Sequence, residues 1–426
     1  MEDIKERFVL ELIKFARQKS DYYRQLYESL PQDIVNIESL PITDVEDYWR
    51  LARSDPKNVL TGPFIDGVPL RSGGSTNEPK TIFSTRDEVT KIAKIEANLR
   101  AQTSGILPGD RVANLFTFGG LYGGYWYAIA LLQEIPIPLV HLPISGSQPL
   151  DKIVEEMEVF EATVILAPVF TIILLAEHLT KKGRSLDNIR VIVFSGESLF
   201  EDTRPLWGTA YPNAKIYSSF YGGVDVGPLG VPARTPACFE EAFDPTFKMC
   251  FPAVLMEIIA EDGTVIKEPG IRGNVVATTL VRYLQPMIRY PVGDVAEWVD
   301  YEARTFKHRG RASIAIKVAT TFLDLPLIKK IIAEVLGSSI TGRFQCIVRR
   351  KEGSAILTFR LAIPKPEHHN QIRDEVEAAL SRASPKWRRD RECSAIAPLI
   401  LEWVDNSGLL YSEKSGKLRE IVDERY

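Results

Sequence analysis

The sequence predicts an α/β protein: a large N-terminal domain of layered α/β sheets with a small β unit, then a smaller α+β C-terminal domain. Three observations carry this reading. From about residue 68 to 200, short apolar runs alternate with stretches of helical period, the pattern of βα units around a mostly parallel sheet. From about 236 to 308 the runs shorten and turn signals separate them, as in an antiparallel unit. After Arg309-Gly310-Arg311 the pattern turns to alternating strands with helices between them.

In chain order, residues 1–30 read as helix, with Ile4, Phe8, Val9, Leu12 and Phe15 on one face and charges between them. Pro31 ends that region. Thr43 or Asp44 is placed to cap a short helix over Val45–Leu51. Strand-like runs follow at Arg111–Phe116, Ile135–Leu139, Thr163–Ala167 and Val191–Phe194. Ligands of such sheets collect in loops at the carboxyl ends of the strands. The uncharged stretch Ala162–Ala176 reads as a buried strand, a loop at Pro168 and a helix start. It is shorter than the roughly 20 residues that a bilayer demands. Met256–Ala260, Gly273–Thr278 and Ala296–Val299 form the small β unit, with turns at Asp262-Gly263 and Pro269-Gly270. Phe344–Arg349 and Ala355–Leu361 read as a hairpin around Lys351-Glu352-Gly353, and Ile372–Ala383 as a helix.

The 426 residues allow two or three domains, at roughly 150 residues each. A net charge of −4 argues against a nucleic-acid binder that works by bulk positive charge. The cysteines Cys238, Cys250, Cys346 and Cys393 form no CxxC pair, so a disulfide framework or zinc knuckle is a poor reading and a reducing cytoplasm fits. Met1–Glu6 is charged at once and carries no signal-peptide core. A cytoplasmic chain with no membrane segment is expected.

The strongest local signal is Ser72-Gly73-Gly74-Ser75-Thr76-Asn77-Glu78-Pro79-Lys80. Glycines let backbone approach an anion, hydroxyls and N–H groups donate to phosphate oxygens, and Lys80 adds positive charge. The plain alternative is a Gly/Ser-rich surface turn. In Ser218-Ser219-Phe220-Tyr221-Gly222-Gly223-Val224-Asp225, an aromatic pair precedes two glycines and a carboxylate. That is a stacking wall with a Mg²⁺ ligand, or a glycine turn after a strand. In Arg289-Tyr290-Pro291-Val292-Gly293-Asp294, a carboxylate after a glycine turn can accept ribose hydroxyls, though turn aspartates are common. Arg309-Gly310-Arg311 can clamp phosphate or act as a hinge. Ser415-Gly416-Lys417-Leu418-Arg419 is a charged tail or a loop that carries a lysine into another domain's site.

Taken in order, these segments resemble the signatures of the adenylate-forming superfamily: acyl-CoA synthetases, peptide-synthetase adenylation domains and luciferases. The family's phosphate loop [ST]-S-G-[ST]-T-G-x-P-K is similar to Ser72–Lys80, except at Gly73 and Asn77. Its Y-G-x-T-E resembles Tyr221–Asp225, its Y-x-T-G-D resembles Tyr290–Asp294, and its G-R-x-D-x-x-I-K resembles Gly310–Lys317. Its terminal S-G-K-[LIV]-x-R resembles Ser415–Arg419. Within the superfamily the chain looks most like phenylacetate-CoA ligases. Ser20–Arg24, Leu40–Asp47, Pro143–Gly146 and Ser195-Gly196-Glu197 resemble their S-P-F-Y-R, L-P-x-T-x-x-x-D, P-x-S-G and G-G-E.

The resemblance implies that ATP and Mg²⁺ are used to join a carboxylic acid to AMP, with release of pyrophosphate and transfer of the acyl group to a thiol. It implies that Ser72, Gly74, Ser75, Thr76 and Lys80 hold phosphates, and that Ser195, Gly196, Glu197, Tyr221 and Gly222 line the nucleotide pocket. Tyr221 would stack on adenine, Asp225 would bind Mg²⁺, Asp294 the ribose, and Arg311 phosphate or ribose. Lys417 would reach the carboxylate and α-phosphate from a mobile lid. The implied boundary puts residues 1–310 in the nucleotide and acyl domain and 311–426 in the lid.

An acyl pocket is expected near the glycine- and aromatic-rich run Phe116–Tyr125, with Phe118, Tyr122, Tyr125, His141, Phe194 and Phe220 as its candidate walls. An aromatic acid is the preferred substrate and CoA the preferred acceptor. A carrier-protein thiol or partner enzyme in specialised metabolism, such as aromatic antibiotic biosynthesis, is the alternative. Gly73, Asn77, Val224 and Ser313 depart from the family pattern and keep a degenerate, non-catalytic nucleotide binder in view. The histidines show no metal spacing. Arg349-Arg350-Lys351 and Lys386–Arg391 are solvated faces or contacts for CoA phosphates. A homodimer is possible on this reading.

Overall fold

Apolar residues at helical spacing bury one side of α1 (Glu2–Lys19), through Val9, Leu12, Ile13 and Ala16. The computed structural model describes residues 2–31, 36–71, 80–196, 204–236, 242, 244–311, 315–319, 321–337, 340, 342–351, 354–411 and 418–424. The helical N-terminus is divided: α1 gives way at Ser20 to α2 (Asp21–Leu26). Asp44 caps α3 (Val45–Ser54), its carboxylate accepting from the Glu46 and Asp47 amides. Thr43 instead donates its hydroxyl to the Ile288 carbonyl at 2.7 Å.

The hairpin of β1 (Val68–Arg71) and β2 (Thr81–Ser84) comes next. Thr85 and Glu88 close a capping box on α4 (Arg86–Arg100). A parallel sheet then builds from β3 (Arg111–Asn114), α5 (Gly123–Glu134), β4 (Val140–Leu142), α6 (Leu150–Val159), β5 (Val164–Pro168), α7 (Val169–Lys181), β6 (Val191–Ser195), α8 (Arg204–Ala210) and β7 (Lys215–Ser218). Its strand order is β4-β3-β5-β6-β7. On one face Val112, Val164 and Val191 pack with Ala97 of α4 and Leu131 of α5. On the other, Ala113, Ile165 and Ile192 pack with Ile153 of α6, Ile172 of α7 and Trp207 of α8. The order reverses between β3 and β5, which opens a crevice at their carboxyl ends.

Residues 135–139 are not the strand expected there. Helix α5 ends at Glu134 and the strand starts only at Val140. Pro136 and Pro138 have no amide proton for a ladder, so the apolar run Ile135–Leu139 that contains them is a connection.

The second sheet is antiparallel. It contains β8 (Tyr221–Gly223), β9 (Gly227–Pro232), β10 (Thr246–Met249), β11 (Val254–Ile259), β12 (Arg272–Thr279), β13 (Tyr290–Asp300) and β14 (Thr305–Arg311). Its order is β11-β12-β13-β14-β10-β9-β8, so it is larger than the unit expected from 236 onward. Its first strand is short and glycine-rich, which hid it in the sequence. The rest of the chain forms a hairpin, β15 (Ala315–Val318) with β16 (Thr321–Asp324), and then α9 (Leu325–Leu336). A four-stranded sheet follows from β17 (Phe344–Lys351), β18 (Ser354–Leu361), α10 (His369–Ala383), α11 (Pro385–Glu392), β19 (Ile400–Trp403) and β20 (Ile421–Asp423), in the order β19-β18-β17-β20. Trp387 is fully buried in a core that includes Ile316, Ile332, Phe359 and Leu399. The architecture is mixed α/β, with the predicted α+β unit at its C-terminal end.

Helices α1–α3 share one core with the antiparallel sheet. Polar bonds lace them to the segment before β13. Tyr23 Oη donates to the Pro286 carbonyl at 3.0 Å and accepts from the Ile288 amide at 3.0 Å. The buried Arg289 guanidinium donates to both Glu257 oxygens, at 3.2 and 3.0 Å, and to the carbonyls of Glu38 and Leu40, at 3.0 and 2.6 Å. Removing one partner of such a pair strands the other charge in the core. Arg289→Ala is therefore expected to destabilise the fold by about 3–5 kcal/mol, read from urea unfolding followed by tryptophan emission. A loss under about 1 kcal/mol, the range of a surface pair, would show that this lacing is dispensable.

Candidate active site

Lys80 stands one residue before β2, and Arg71 ends β1 opposite Thr81. The Lys80 ammonium donates to Asp225 Oδ2 at 3.0 Å and to Tyr290 Oη at 2.7 Å. Tyr290 Oη in turn donates to Asp225 Oδ2 at 3.0 Å. Three of the sequence-predicted segments thus meet in one bonded cluster. Burial first, and the Asp225 carboxylate next, push the Tyr290 phenol well up, so it stays protonated and remains a donor.

Asp225 sits in the turn between β8 and β9. Tight backbone makes that turn: a Cβ at Gly222 would lie 2.2 Å from the Gly227 carbonyl oxygen, so only glycine fits. Arg282, buried nearby, donates to the Asp225 carbonyl. Val224, where the family carries threonine, packs against the core shared with α1–α3.

Tyr221 starts β8 and Asp294 lies within β13. Tyr221 Oη donates to Asp294 Oδ2 at 2.7 Å. The Tyr221 ring packs on His308, centroids 4.9 Å apart and 34° tilted, and edge-on against Phe306. His308 Nε2 lies 4.0 Å from Asp294 Oδ1. Gly293 takes φ +81 and the β13–β14 register shifts just after Asp294, so the carboxylate sits at a bulge rather than in an open turn. Arg311 ends β14 with its backbone paired to Asp294. Arg309 is committed elsewhere, to Asp244 and Glu297, each at 2.7 Å. Ser195 ends β6, nearly buried, and Gly196 follows at φ +89.

The expected acyl walls divide. Phe118 is 67% exposed and meets Tyr125 edge-on at 5.2 Å. Tyr125 donates its hydroxyl to the Pro143 carbonyl at 2.8 Å. Tyr122 precedes α5, bridged to Arg71 across the end of β1. His141 pairs with Val112 and shares its face of the parallel sheet. Its Nε2 is buried with no hydrogen-bond partner among the described residues, and burial lowers its pKa, which favours the neutral ring. Phe220 packs edge-on against Tyr127 of α5 at 6.3 Å. Phe194 does not join them. It lies on the opposite face, in the core with Trp207 and Ile165, because β6 alternates its side chains.

Ser72, Gly74, Ser75, Thr76, Glu197 and Lys417 lie outside the described residues, as do Gly73, Asn77 and Ser313. Among the described residues no group of three or more His, Cys, Asp or Glu side chains could hold a metal ion, and no helix is long and apolar enough to cross a membrane. In the basic run, Arg349 is paired with Glu402 at 2.7 Å and Glu424 at 2.6 Å. Sequence reasoning missed Trp49, Arg282 and His308. Trp49 lay unremarked in the short helix expected over Val45–Leu51, and His308 was weighed only for metal spacing.

No protein-family model matches the chain. It is 23% identical over 311 residues to the phenylacetate-coenzyme A ligase of Pseudomonas putida, covering 70% of this chain and 67% of that protein. It is 26% identical over 316 residues to the Escherichia coli enzyme of the same name, covering 71% and 68%. The structure matches that of 2-hydroxyisobutyryl-CoA ligase in the postadenylation state with its acyl-AMP, at a TM-score of 0.70 and 17% identity, over 99% of this chain and 89% of that one. In sequence the chain is thus similar to phenylacetate-coenzyme A ligases, and it shares the fold of 2-hydroxyisobutyryl-CoA ligase.

Proposed function

We propose that the chain is an acid–thiol ligase that activates an aromatic carboxylic acid with ATP as an acyl-adenylate and then passes the acyl group to CoA. The observation that carries this reading is the bonded cluster of Lys80, Asp225 and Tyr290, residues 145 and 210 positions apart from Lys80 in the chain. Nothing in their local sequence requires them to meet.

The chemistry explains why such a cluster is useful. A carboxylate oxygen attacks the α-phosphorus, and the bond to the bridging oxygen of pyrophosphate breaks. Two anions approach, so the site needs fixed cations and oriented donors more than acid–base groups. Lys80 supplies an ammonium at the end of the predicted phosphate loop. Asp294 has one oxygen bonded to Tyr221, which fixes the carboxylate that would accept ribose hydroxyls. Asp225 is the residue that would hold Mg²⁺. A single carboxylate beside a phosphate site suits an ion that takes most of its ligands from water and phosphate oxygens. Once bound, the ion would offset phosphate charge. Residues 311–426 are the proposed lid, which turns about Arg311–Ser313 and brings Lys417 to the reacting carboxylate. In the second step the thiol, its proton lost to solvent, bonds through sulfur to the acyl carbon, and the acyl C–O bond breaks as AMP leaves with the electron pair. Phe118, Tyr122, Tyr125, His141 and Phe220 offer flat faces and a neutral ring for an aromatic acid. The retained Lys80, Asp294, Arg311 and Lys417 favour this over a non-catalytic nucleotide binder.

ATP–pyrophosphate exchange across a panel of aromatic and aliphatic acids is expected to depend on an aromatic acid, and thioester is expected with free CoA. No exchange with any acid overturns the proposal. Exchange with thioester formed only on a carrier protein overturns the CoA assignment alone.

Lys417→Ala is expected to lower exchange by about 100-fold or more, the scale of losing a charge-stabilising donor. Thioester formation from preformed acyl-adenylate should change only a few-fold. Equal losses in both steps would place Lys417 elsewhere than at the α-phosphate.

A further inference from the structure

The N-terminal helices, which carry none of the nucleotide motifs, reach the candidate nucleotide site through α3, where Tyr48 meets the Tyr290 ring edge-on at 6.4 Å and Trp49 bonds to its hydroxyl. Trp49 of α3 is buried, and its indole Nε1 donates to Tyr290 Oη at 2.9 Å. Tyr290 Oη therefore accepts from Trp49 and Lys80 and has its own proton left for Asp225. The three bonds fix the direction of the phenol. The Lys80 ammonium also lies 5.5 Å from the centroid of the Trp49 ring and 5.3 Å from that of Tyr290, within cation–π range. Its side chain is 30% exposed, so one side of the cage opens to solvent.

From this geometry we propose that Trp49 is a positioning residue for the nucleotide site. It acts through Tyr290 and Lys80 and does not touch the substrate. Two ring faces and a carboxylate hold the ammonium at one place beside Asp225. A long lysine would otherwise lose side-chain entropy each time a phosphate arrived. The cage meets part of that cost before binding, which lowers the Kd for the phosphate-bearing ligand. This inference rests on the nucleotide reading above.

The test is equilibrium binding of Mg-ATP without acid, by calorimetry and by tryptophan emission, on the full chain. Trp49→Phe keeps an aromatic ring and removes the N–H donor. Trp49→Leu removes the ring as well. ATP affinity is expected to fall about three-fold in the first and about ten-fold in the second, the scale of a hydrogen bond and a cation–π contact. Circular dichroism and thermal melting keep folded variants apart from unfolded ones. The decisive arm is the Lys80→Met background, where Trp49→Phe and Trp49→Leu are expected to have no further effect on ATP affinity. A role in packing alone would cost the same in both backgrounds. The chain has six tryptophans, and most of the emission change on adding Mg-ATP should vanish with Trp49. Unchanged or tighter ATP binding in the Trp49 variants overturns the inference and leaves the nucleotide reading standing. Absence of ATP binding by the wild-type chain overturns both.

Discussion

Arg289 adopts φ +45, a left-handed backbone that costs a non-glycine residue about 1–2 kcal/mol. The chain holds it there because the guanidinium is buried against Glu257 and the carbonyls of Glu38 and Leu40. Those bonds exist only if the segment before α3 and the start of β13 lie side by side. The next residue is Tyr290, whose ring is then fully buried against α3. Other polar atoms hold the same segment. Glu88 of the α4 capping box accepts from the Tyr283 and Leu284 amides at 2.6 and 2.7 Å, and Gln285 accepts from the Phe83 amide at 2.8 Å. One loop is thereby tied to the N-terminal helices, to β2 and to α4, and the residues placed by it are those of the candidate site.

Charge explains the form the site takes. An ammonium awaiting phosphate cannot be buried alone, since desolvation would favour its neutral form. Asp225 supplies a counter-charge at 3.0 Å, and the aromatic faces of Trp49 and Tyr290 add attraction without adding a second negative group. A second carboxylate there would repel the phosphates that the site is proposed to meet. A protonated phenol bonds to both the cation and the carboxylate and carries no charge of its own.

The parts of this arrangement that could be read in the sequence are those whose local chemistry is unusual. A glycine pair before Asp225, a single glycine before Asp294 and a hydroxyl-rich run before Lys80 marked those three residues. The β/α alternation gave the parallel sheet, and Asp44 was legible as a cap. Features that depend on distant pairing were not legible. Trp49 lies 241 residues from Tyr290, and α3 alone gives it the periodicity of any core position. β8 has three residues, two of them glycine, and becomes a strand only through its partner β9. Phe194 was read as a wall of the acyl pocket, but strand alternation turns it to the opposite face of the sheet. Residues 135–139 were apolar enough for a strand, yet two prolines denied them the ladder.

The remaining link joins the two halves of the candidate site. The Arg71 amide, at the last residue before the predicted phosphate loop, donates to the Leu121 carbonyl at 2.8 Å. Leu121 lies between Phe118 and Tyr122, in the turn that opens α5 and carries the expected acyl walls. Leu121 has φ +64 and the neighbouring Gly119 and Gly120 are also positive, so this turn is conformationally restricted rather than a free coil. The two loops are thus joined by main-chain bonding, which does not depend on the side chains at those positions. On the proposed reading, substitution of Phe118 or Tyr122 reshapes the expected acyl wall without breaking the main-chain bond at Arg71. On that same reading, a site joined in this way lets acid specificity diverge while the nucleotide end, with Lys80, Asp225 and Asp294, stays fixed.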